Sequence, residues 1–234
     1  MNKKQTPGEP KIGSWLRFVA ASCEAGRYWC DQYRQEEYKA LERGAFHALV
    51  LLRKGKVEAG CFILASVESS LRNVQPMPAS ILCILERWYY GILAYAHYCC
   101  EKFDEAMQAL DQADGAVSAA IELAPFLVTF ADHCFEFRLQ RARIARNRRR
   151  WQEMRHHIEG ARKMIEGQQP FCVLSDGRAI YRQTVREFCA SLPLPPEENV
   201  GPGLAKDVEA RLKDFDQIAA GLYAGPGLVI PYNV

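Results

Sequence analysis

One apolar pattern occurs three times in this chain of 234 residues, each time directly after a short polar turn. Val57, Phe103 and Trp151 begin the copies, which are therefore 46 and 48 residues apart. Small or apolar residues follow three, seven and ten positions later: Gly60, Leu64 and Val67; Ala106, Leu110 and Ala113; Met154, Ile158 and Ala161. A repeat of this length in a helical sequence is typical of stacked helix pairs. The pattern predicts an all-α fold of stacked antiparallel helix pairs, with eight to nine helices.

Apolar periodicity, Gly and Pro give the helix boundaries. Residues 14–52 form either one long helix or two helices with a tight joint, and Gly55 is the expected left-handed stop. Further helices are predicted over 57–73, 80–100 and 103–122, then from Pro125 and from Trp151. After a loop at 167–177, Ser175 or Asp176 is the expected cap of the eighth helix, and no strand is indicated.

The organisation predicted from these boundaries has four parts. Residues 1–12 are a flexible leader, 13–192 the helical repeat domain, 193–203 a Pro-rich linker, and 204–234 a C-terminal helix with an apolar tail. Such a tail needs covering, because exposed apolar surface is unfavourable in water. It either folds back on its own chain or inserts into another subunit, so a homo-oligomer is one expectation.

Residues 86–113 carry the most regular copy of the pattern. Tyr90, Leu93 and Ala94 lie on its first helix, and Phe103, Ala106, Leu110 and Ala113 on its second. This segment resembles a tetratricopeptide repeat, and the likeness extends over residues 38–165 in an irregular form. Met154, Arg138 and Arg141 depart from the family pattern, and the period is longer than its roughly 34 residues. The resemblance implies a non-catalytic scaffold that binds a peptide or partner protein in a groove.

Composition limits the class of protein further. Hydrophobic residues make up 49% and charged residues 25%, which excludes a disordered chain. The first residues lack the apolar stretch of a signal peptide, and no run of apolar residues is long enough to cross a membrane. The nine cysteines are an odd number and fall largely on apolar helix faces, as reduced thiols do. We expect a cytoplasmic protein that does not bind membranes.

An arginine segment, defined here as residues 138–155, is the strongest local charge signal. Residues 138–163 contain nine Arg and one Lys against two Glu. Arg binds phosphate and carboxylate in bidentate geometry, so one interpretation is a nucleic-acid or acidic-peptide surface. The other is a solvated helix end whose arginines pair with acidic residues such as Glu101, Asp104 and Glu105. Trp151, the one aromatic residue in the segment, is expected in the core because of its repeat position.

Motifs for catalysis and metal binding are not found. The sequence contains no GxSxG, P-loop, GxGxxG or HExxH motif. Adjacent helical residues point about 100° apart, so neither Cys99–Cys100 nor His156–His157 forms a good metal pair. Asp111 and Asp114 are predicted to be ordinary acidic residues on a helix surface. We expect no enzyme activity, cofactor or metal, although a Cys–His dyad assembled by the fold stays open.

The function predicted from the sequence is a scaffold or adaptor for a peptide or protein. Nucleic-acid binding through the arginine segment is the alternative. The candidate partner-binding residues are two on the helix before the second turn and six in the arginine segment: Tyr90, His97, Arg138, Arg141, Arg146, Arg148, Arg149 and Arg150.

Overall fold

The computed structural model describes residue 19 and residues 23–73, 77–191 and 208–223, the last with side chains from 215 onward. This part of the chain is almost entirely helical, so the all-α prediction is confirmed. The α-helices are α1 (Glu24–Tyr33), α2 (Glu36–Arg53), α3 (Val57–Asn73), α4 (Ala79–Cys99), α5 (Phe103–Leu123), α6 (His133–Asn147), α7 (Trp151–Glu166), α8 (Arg182–Ser191) and α9 (Val208–Tyr223). From residue 23 onward, a 3₁₀-helix (Pro125–Asp132) and two short strands, β1 (Cys172–Val173) and β2 (Ala179–Ile180), complete the list for the described residues.

The apolar stretch before the first turn forms two helices in the described residues. α1 ends at Tyr33 and α2 begins at Glu36, with Arg34 and Gln35 as the joint. The amide of Arg34 still donates a helical hydrogen bond to the carbonyl four residues back, that of Cys30, at 3.0 Å. The amide of Gln35 instead donates to the carbonyl only three residues back, that of Gln32. Between Glu24 and Arg53 the second of the two alternatives, a tight joint, is therefore correct. The helix predicted from Ser14 is wrong at Cys23, whose extended backbone caps the start of α1.

Each copy of the apolar pattern lies in the second helix of a helical hairpin. α2 packs on α3, α4 on α5 and α6 on α7. Three residues join the helices of each pair, at 54–56, 100–102 and 148–150. Because a connection this short reverses the chain, the two helices run in opposite directions.

The three hairpin turns share one backbone geometry. Their middle residues are left-handed, with φ of 73° at Gly55, 59° at Glu101 and 58° at Arg149. The amide of the next residue reaches the carbonyl five positions back at 3.0, 2.9 and 2.8 Å, in Lys56–Leu51, Lys102–His97 and Arg150–Ala145. This is the Schellman motif, which satisfies carbonyls that a helix end would otherwise leave open. The stop predicted at Gly55 is confirmed, and it recurs twice without glycine.

The repeated small and apolar residues lie where the helices of each hairpin meet. All nine of them, from Gly60 to Ala161, are buried. At Gly60 the helices are so close that an added Cβ would lie 2.7 Å from Leu52 Cγ and 3.2 Å from the Ala48 carbonyl oxygen. Ala106 occupies the same position in the second hairpin. Small side chains therefore let the helices approach, as the sequence pattern predicts.

Consecutive hairpins also touch one another. α4 packs on both α2 and α3, and α5 packs on α6. Gly91 of α4 faces Phe137 of α6, whose ring would lie 3.2 Å from an added Cβ. The relation of this arrangement to tetratricopeptide repeats stays a prediction.

Two local predictions outside the helical hairpins are wrong. The sixth helix was expected from Pro125, but residues 125–132 form a 3₁₀-helix and α6 begins at His133. Pro125 lies at the start of the 3₁₀-helix, because its fixed φ suits a first turn of either helix type.

The segment expected to be a loop without strands contains a small β-hairpin. Cys172 pairs with Ile180 and Val173 with Ala179 in antiparallel register. Gly177, at φ 83°, lies in its turn, where the Asp176 carboxylate accepts a bond from the Arg178 amide at 3.0 Å. Asp176 thus caps this turn and not α8, whose start uses Thr184 Oγ1 bonded to the Tyr181 amide.

The C-terminal helix docks on the third hairpin. α9 packs on α7 and α6, with Phe215 and Leu222 each 1% exposed. Arg162 bonds the Asp216 carboxylate at 2.6 Å, and its guanidinium lies 5.0 Å from the Phe215 ring. The predicted leader at 1–12, linker at 193–203 and tail at 224–234 lie outside the described residues.

Because the turns share one geometry, adding a Cβ at one turn and removing it at another should change the unfolding free energy in opposite directions. Gly55→Ala forces a Cβ into a left-handed conformation, although no atom lies within 4 Å, so we expect a loss of about 1 kcal/mol in unfolding free energy. Glu101→Gly removes the same strain and is expected to stabilise the fold by about 0.5–1 kcal/mol. Urea unfolding followed by circular dichroism measures both changes.

Lys54→Ala is the control for the turn prediction, because Lys54 lies in the first turn with a negative φ of −84°. We expect a change below about 0.5 kcal/mol for this variant. Changes in unfolding free energy of the same sign for Gly55→Ala and Glu101→Gly would contradict the common geometry of the two turns.

Candidate interaction site

The predicted binding residues lie on two elements of the fold, α4 and α6, and on the turn that follows α6. Tyr90 and His97 lie on α4, seven residues and two helical turns apart, and therefore share a face. The charged side chains that shift the pKa of Tyr90 belong to Glu68, Arg72 and Glu86, and none of them lies in the arginine segment. The six arginines belong to α6 and to the turn before α7.

Arg141 is the most strongly held member of the arginine segment. Its Nη2 lies 2.7 Å from Asp111 Oδ1 and 2.7 Å from Asp114 Oδ2, both on α5. Only 11% of the Arg141 side chain is exposed, whereas Asp111 is well exposed. Burial raises the pKa of Asp114, and the Arg141 charge opposes that shift. Asp114 is thus not the ordinary surface acid expected from the sequence, because it forms part of the contact between the second and third hairpins.

Three further arginines of the segment have partners within the chain. Arg148 pairs with Asp104 of α5, as the solvated-helix interpretation suggested. Arg146 is buried, and its Nη1 bonds the Gly221 carbonyl of α9 at 3.2 Å. Arg150 approaches Glu153 at 3.4 Å in the first turn of α7. These side chains are used to position α5, α7 and α9 around α6.

Arg138 explains one departure from the tetratricopeptide pattern. Its guanidinium lies across Gly160 of α7, where an added Cβ would be 2.4 Å from Arg138 Cζ. Its Nη2 is 3.4 Å from His156 Nε2. A long cationic side chain replaces the usual apolar residue on α6 because the facing residue on α7 has no side chain.

The prediction that Trp151 is a core residue is wrong. Trp151 is 49% exposed, whereas Val57 and Phe103 at the equivalent positions are half-buried. It is the first residue of α7, and in the described residues α7 is followed by the β-hairpin and not by a fourth helical hairpin. Together with Arg149, Arg150 and Arg155, which are also exposed, it forms the accessible surface of the arginine segment.

His157 lies beneath the same segment in an unusual electrostatic setting. Its side chain is 14% exposed and Nε2 is 3.8 Å from Glu153 Oε1. Burial and the charges of Arg138 and Arg141 lower the pKa of His157 to about 4, and Glu153 offsets this only in part. His157 is therefore neutral near pH 7, and its approach to Glu153 is not an ion pair at that pH.

The face of α4 that carries Tyr90 and His97 is the second candidate surface. It is named here the α4 stripe, and its members recur every three or four residues and are all half-buried: Leu82, Glu86, Tyr90, Leu93 and His97. Burial lowers the pKa of His97, which Glu105 opposes. Trp88, Tyr95 and Tyr98 of α4 are half-buried to the same degree, so the stripe is one part of the accessible surface of this helix.

Sequence reasoning missed a buried polar group between the first two hairpins. Tyr33, Glu42 and Arg87 are each less than 9% exposed. The Arg87 guanidinium lies 3.6 Å from the centre of the Trp88 ring, and the Tyr33 hydroxyl bonds Glu42. Burial raises the pKa of Glu42. No local pattern marks these residues, because Tyr33, Glu42 and Arg87 come together from three different helices.

Comparison with known proteins finds no matching family, no similar curated protein and no similar solved structure. Within the described residues, His, Cys, Asp and Glu side chains form no group of three arranged to hold a metal ion. None of the helices described here is both long and apolar enough to cross a membrane.

The low pKa of His157 predicts acid sensitivity of the third hairpin. The unfolded chain binds this proton near pH 6.5, whereas the folded chain binds it only near pH 4. The stabilising effect of a neutral His157 is thus present above about pH 6.5 and is lost as the pH falls through 4. Between about pH 7 and 4, wild-type stability should fall by about 2–3 kcal/mol more than that of His157→Asn.

Urea unfolding at a series of pH values measures this difference. His47→Asn is the matched control, because His47 is exposed and lies on α2, in the first hairpin. We expect the control to keep the wild-type pH dependence. A His157→Asn curve parallel to the wild type would show that this group does not carry the acid response.

Proposed function

We propose that the protein is a non-catalytic scaffold that binds a peptide or a partner protein on the surface of its helical hairpins. The observation that carries this proposal is the recurrence of one turn geometry at Gly55, Glu101 and Arg149, with the repeated positions buried behind each turn. Tandem helical hairpins are a common way of building an extended binding surface. On this proposal the chain is a tetratricopeptide-like adaptor that acts in the cytoplasm.

The α4 stripe is the proposed contact surface for the partner. It presents a tyrosine, two leucines, a histidine and a glutamate on a helix that hairpin packing holds rigid. Aromatic and apolar anchors on a fixed helix bind an amphipathic helix or peptide at little entropic cost. Tyr90 and Leu93 are the expected anchors, and Glu86 and His97 the polar edge.

Nucleic-acid binding is the second candidate function. The exposure of Trp151 beside Arg149 and Arg150 favours it, because an accessible aromatic ring can stack on a base while arginines bind phosphate. The internal partners of Arg138, Arg141, Arg146 and Arg148 weigh against it, since they leave a smaller cationic surface than the sequence suggests. For this reason the scaffold is the first proposal.

Affinity capture from lysate with matched variants tests the two proposals together. A scaffold partner is expected to survive nuclease treatment and to be lost with Tyr90→Ser/His97→Ser. Phe62→Ser is the matched control, because Phe62 is an aromatic residue of α3 that is 78% exposed and lies outside the stripe. This variant should retain the partner.

Two results would contradict the proposal: the first rejects the α4 stripe as the contact surface, and the second rejects the scaffold itself. One is a set of captured proteins that the α4 stripe variant leaves unchanged. The other is capture that disappears with nuclease and with Trp151→Ala/Arg149→Ala/Arg150→Ala, together with affinity for RNA or DNA that falls steeply with salt. The second result would establish nucleic-acid binding in its place.

A further inference from the structure

Two thiols meet where the β-hairpin packs on the second and third helical hairpins. Cys134 is the second residue of α6 and is 3% exposed. Cys172 opens β1, which packs on α5, and it is half-buried against the same apolar core. The two sulfurs interact directly through a side-chain hydrogen bond. Neither cysteine has a role in the proposed scaffold.

Side chains of α5 hold both thiols in place. Ser118 bonds Cys172, and Asp114, one turn earlier on α5, contacts Cys134. The β-hairpin itself is fixed to α5 by a bond from the Ser175 amide to the Glu122 carboxylate. Phe171 and Leu174, on either side of β1, are buried. The thiols are therefore neighbours because the local packing keeps them so.

The two thiols differ in acidity and in access to solvent. Hydrogen bonds from Cys134 and Ser118 lower the pKa of Cys172, although its burial acts in the opposite direction. The bond to Cys172 and burial raise the pKa of Cys134. Since a thiolate is the form that attacks peroxide, Cys172 is the nucleophile of the pair. The buried thiol of Cys134 beside it then corresponds to the resolving cysteine of redox-sensitive sites, the thiol that completes the disulfide.

We propose that Cys172 and Cys134 form a peroxide-oxidisable pair that closes to a disulfide and ties the β-hairpin to α6. The Cys172 thiolate attacks one peroxide oxygen, and with one proton taken up this gives a sulfenic acid and water. The Cys134 thiol then attacks the Cys172 sulfur and displaces a second water. In total two thiols lose two electrons and two protons, and hydrogen peroxide is reduced to two waters.

A second group of thiols in the chain provides an internal comparison. Cys61, Cys99 and Cys100 lie close together at the second hairpin turn, and Cys100 is exposed. Burial raises the pKa of both Cys61 and Cys99. Exposure alone would favour oxidation of Cys100, whereas acidity favours Cys172. Peroxide treatment can therefore separate the two causes.

The experiment treats the full chain with about one equivalent of hydrogen peroxide, alkylates the remaining thiols, and maps tryptic peptides without reduction. Cleavage isolates Cys134 in residues 103–138 and Cys172 in residues 164–178, and neither peptide contains another cysteine. We expect these two peptides to be linked, and a dithiol reductant should separate them.

Variants identify the nucleophile and control for folding. Cys172→Ser should abolish the link, whereas Cys134→Ala should leave a sulfenic acid at Cys172 that dimedone traps. Cys100→Ser is the matched control and should retain the link. Circular dichroism identifies any variant that fails to fold, and the wild-type peptide map decides the question in that case. Cys172 recovered fully alkylated while Cys61 or Cys100 is oxidised would overturn the proposal.

Discussion

The contact of Arg141 with Asp111 and Asp114 is the interaction on which the second half of the structure depends. It fastens α6 to α5 with a guanidinium that is almost fully removed from water, and such a charge is tolerated only when it is paired. Because α6 is held in this way, Arg138 reaches across Gly160 and His157 is enclosed under two cationic side chains. The same placement of α5 against α6 brings Cys134 towards β1. A positively charged sequence thus serves to pack helices.

The hairpin turns impose the second constraint. Each ends a helix with a left-handed residue, and only the first uses glycine for it. The backbone bonds of the turn fix the angle at which the next helix leaves, and the small residues behind it set how closely the helices approach. Similar hairpins then follow from different sequences, since the second hairpin has alanines where the first has Gly60 and Val67. The proposed partner-binding surface depends on this combination.

Local features were predictable from the sequence, and contacts between distant residues were not. The buried repeat positions, Gly55 and the bounds of α3 depend on residues a few positions apart, so periodicity and turn chemistry suffice. The partners of Arg141 lie up to 30 residues away along the chain, and nothing in the segment identifies them. Trp151 has the spacing of a core residue, yet no further helical hairpin covers that end of α7 in the described residues. The β-hairpin was not predicted because strands of two residues are too short to show a periodic apolar pattern.

A double-mutant cycle between Arg141 and Asp114 tests the central claim most directly. Unfolding free energies of Arg141→Met, Asp114→Asn and the double variant give the coupling between the two side chains. If the pair fastens α6 to α5 as described, the coupling should be about 1.5–3 kcal/mol, well above the value below about 1 kcal/mol expected for the more exposed pair Arg148–Asp104. A coupling near zero would contradict the account, because the arginine segment would then be a solvated surface and not part of the packing.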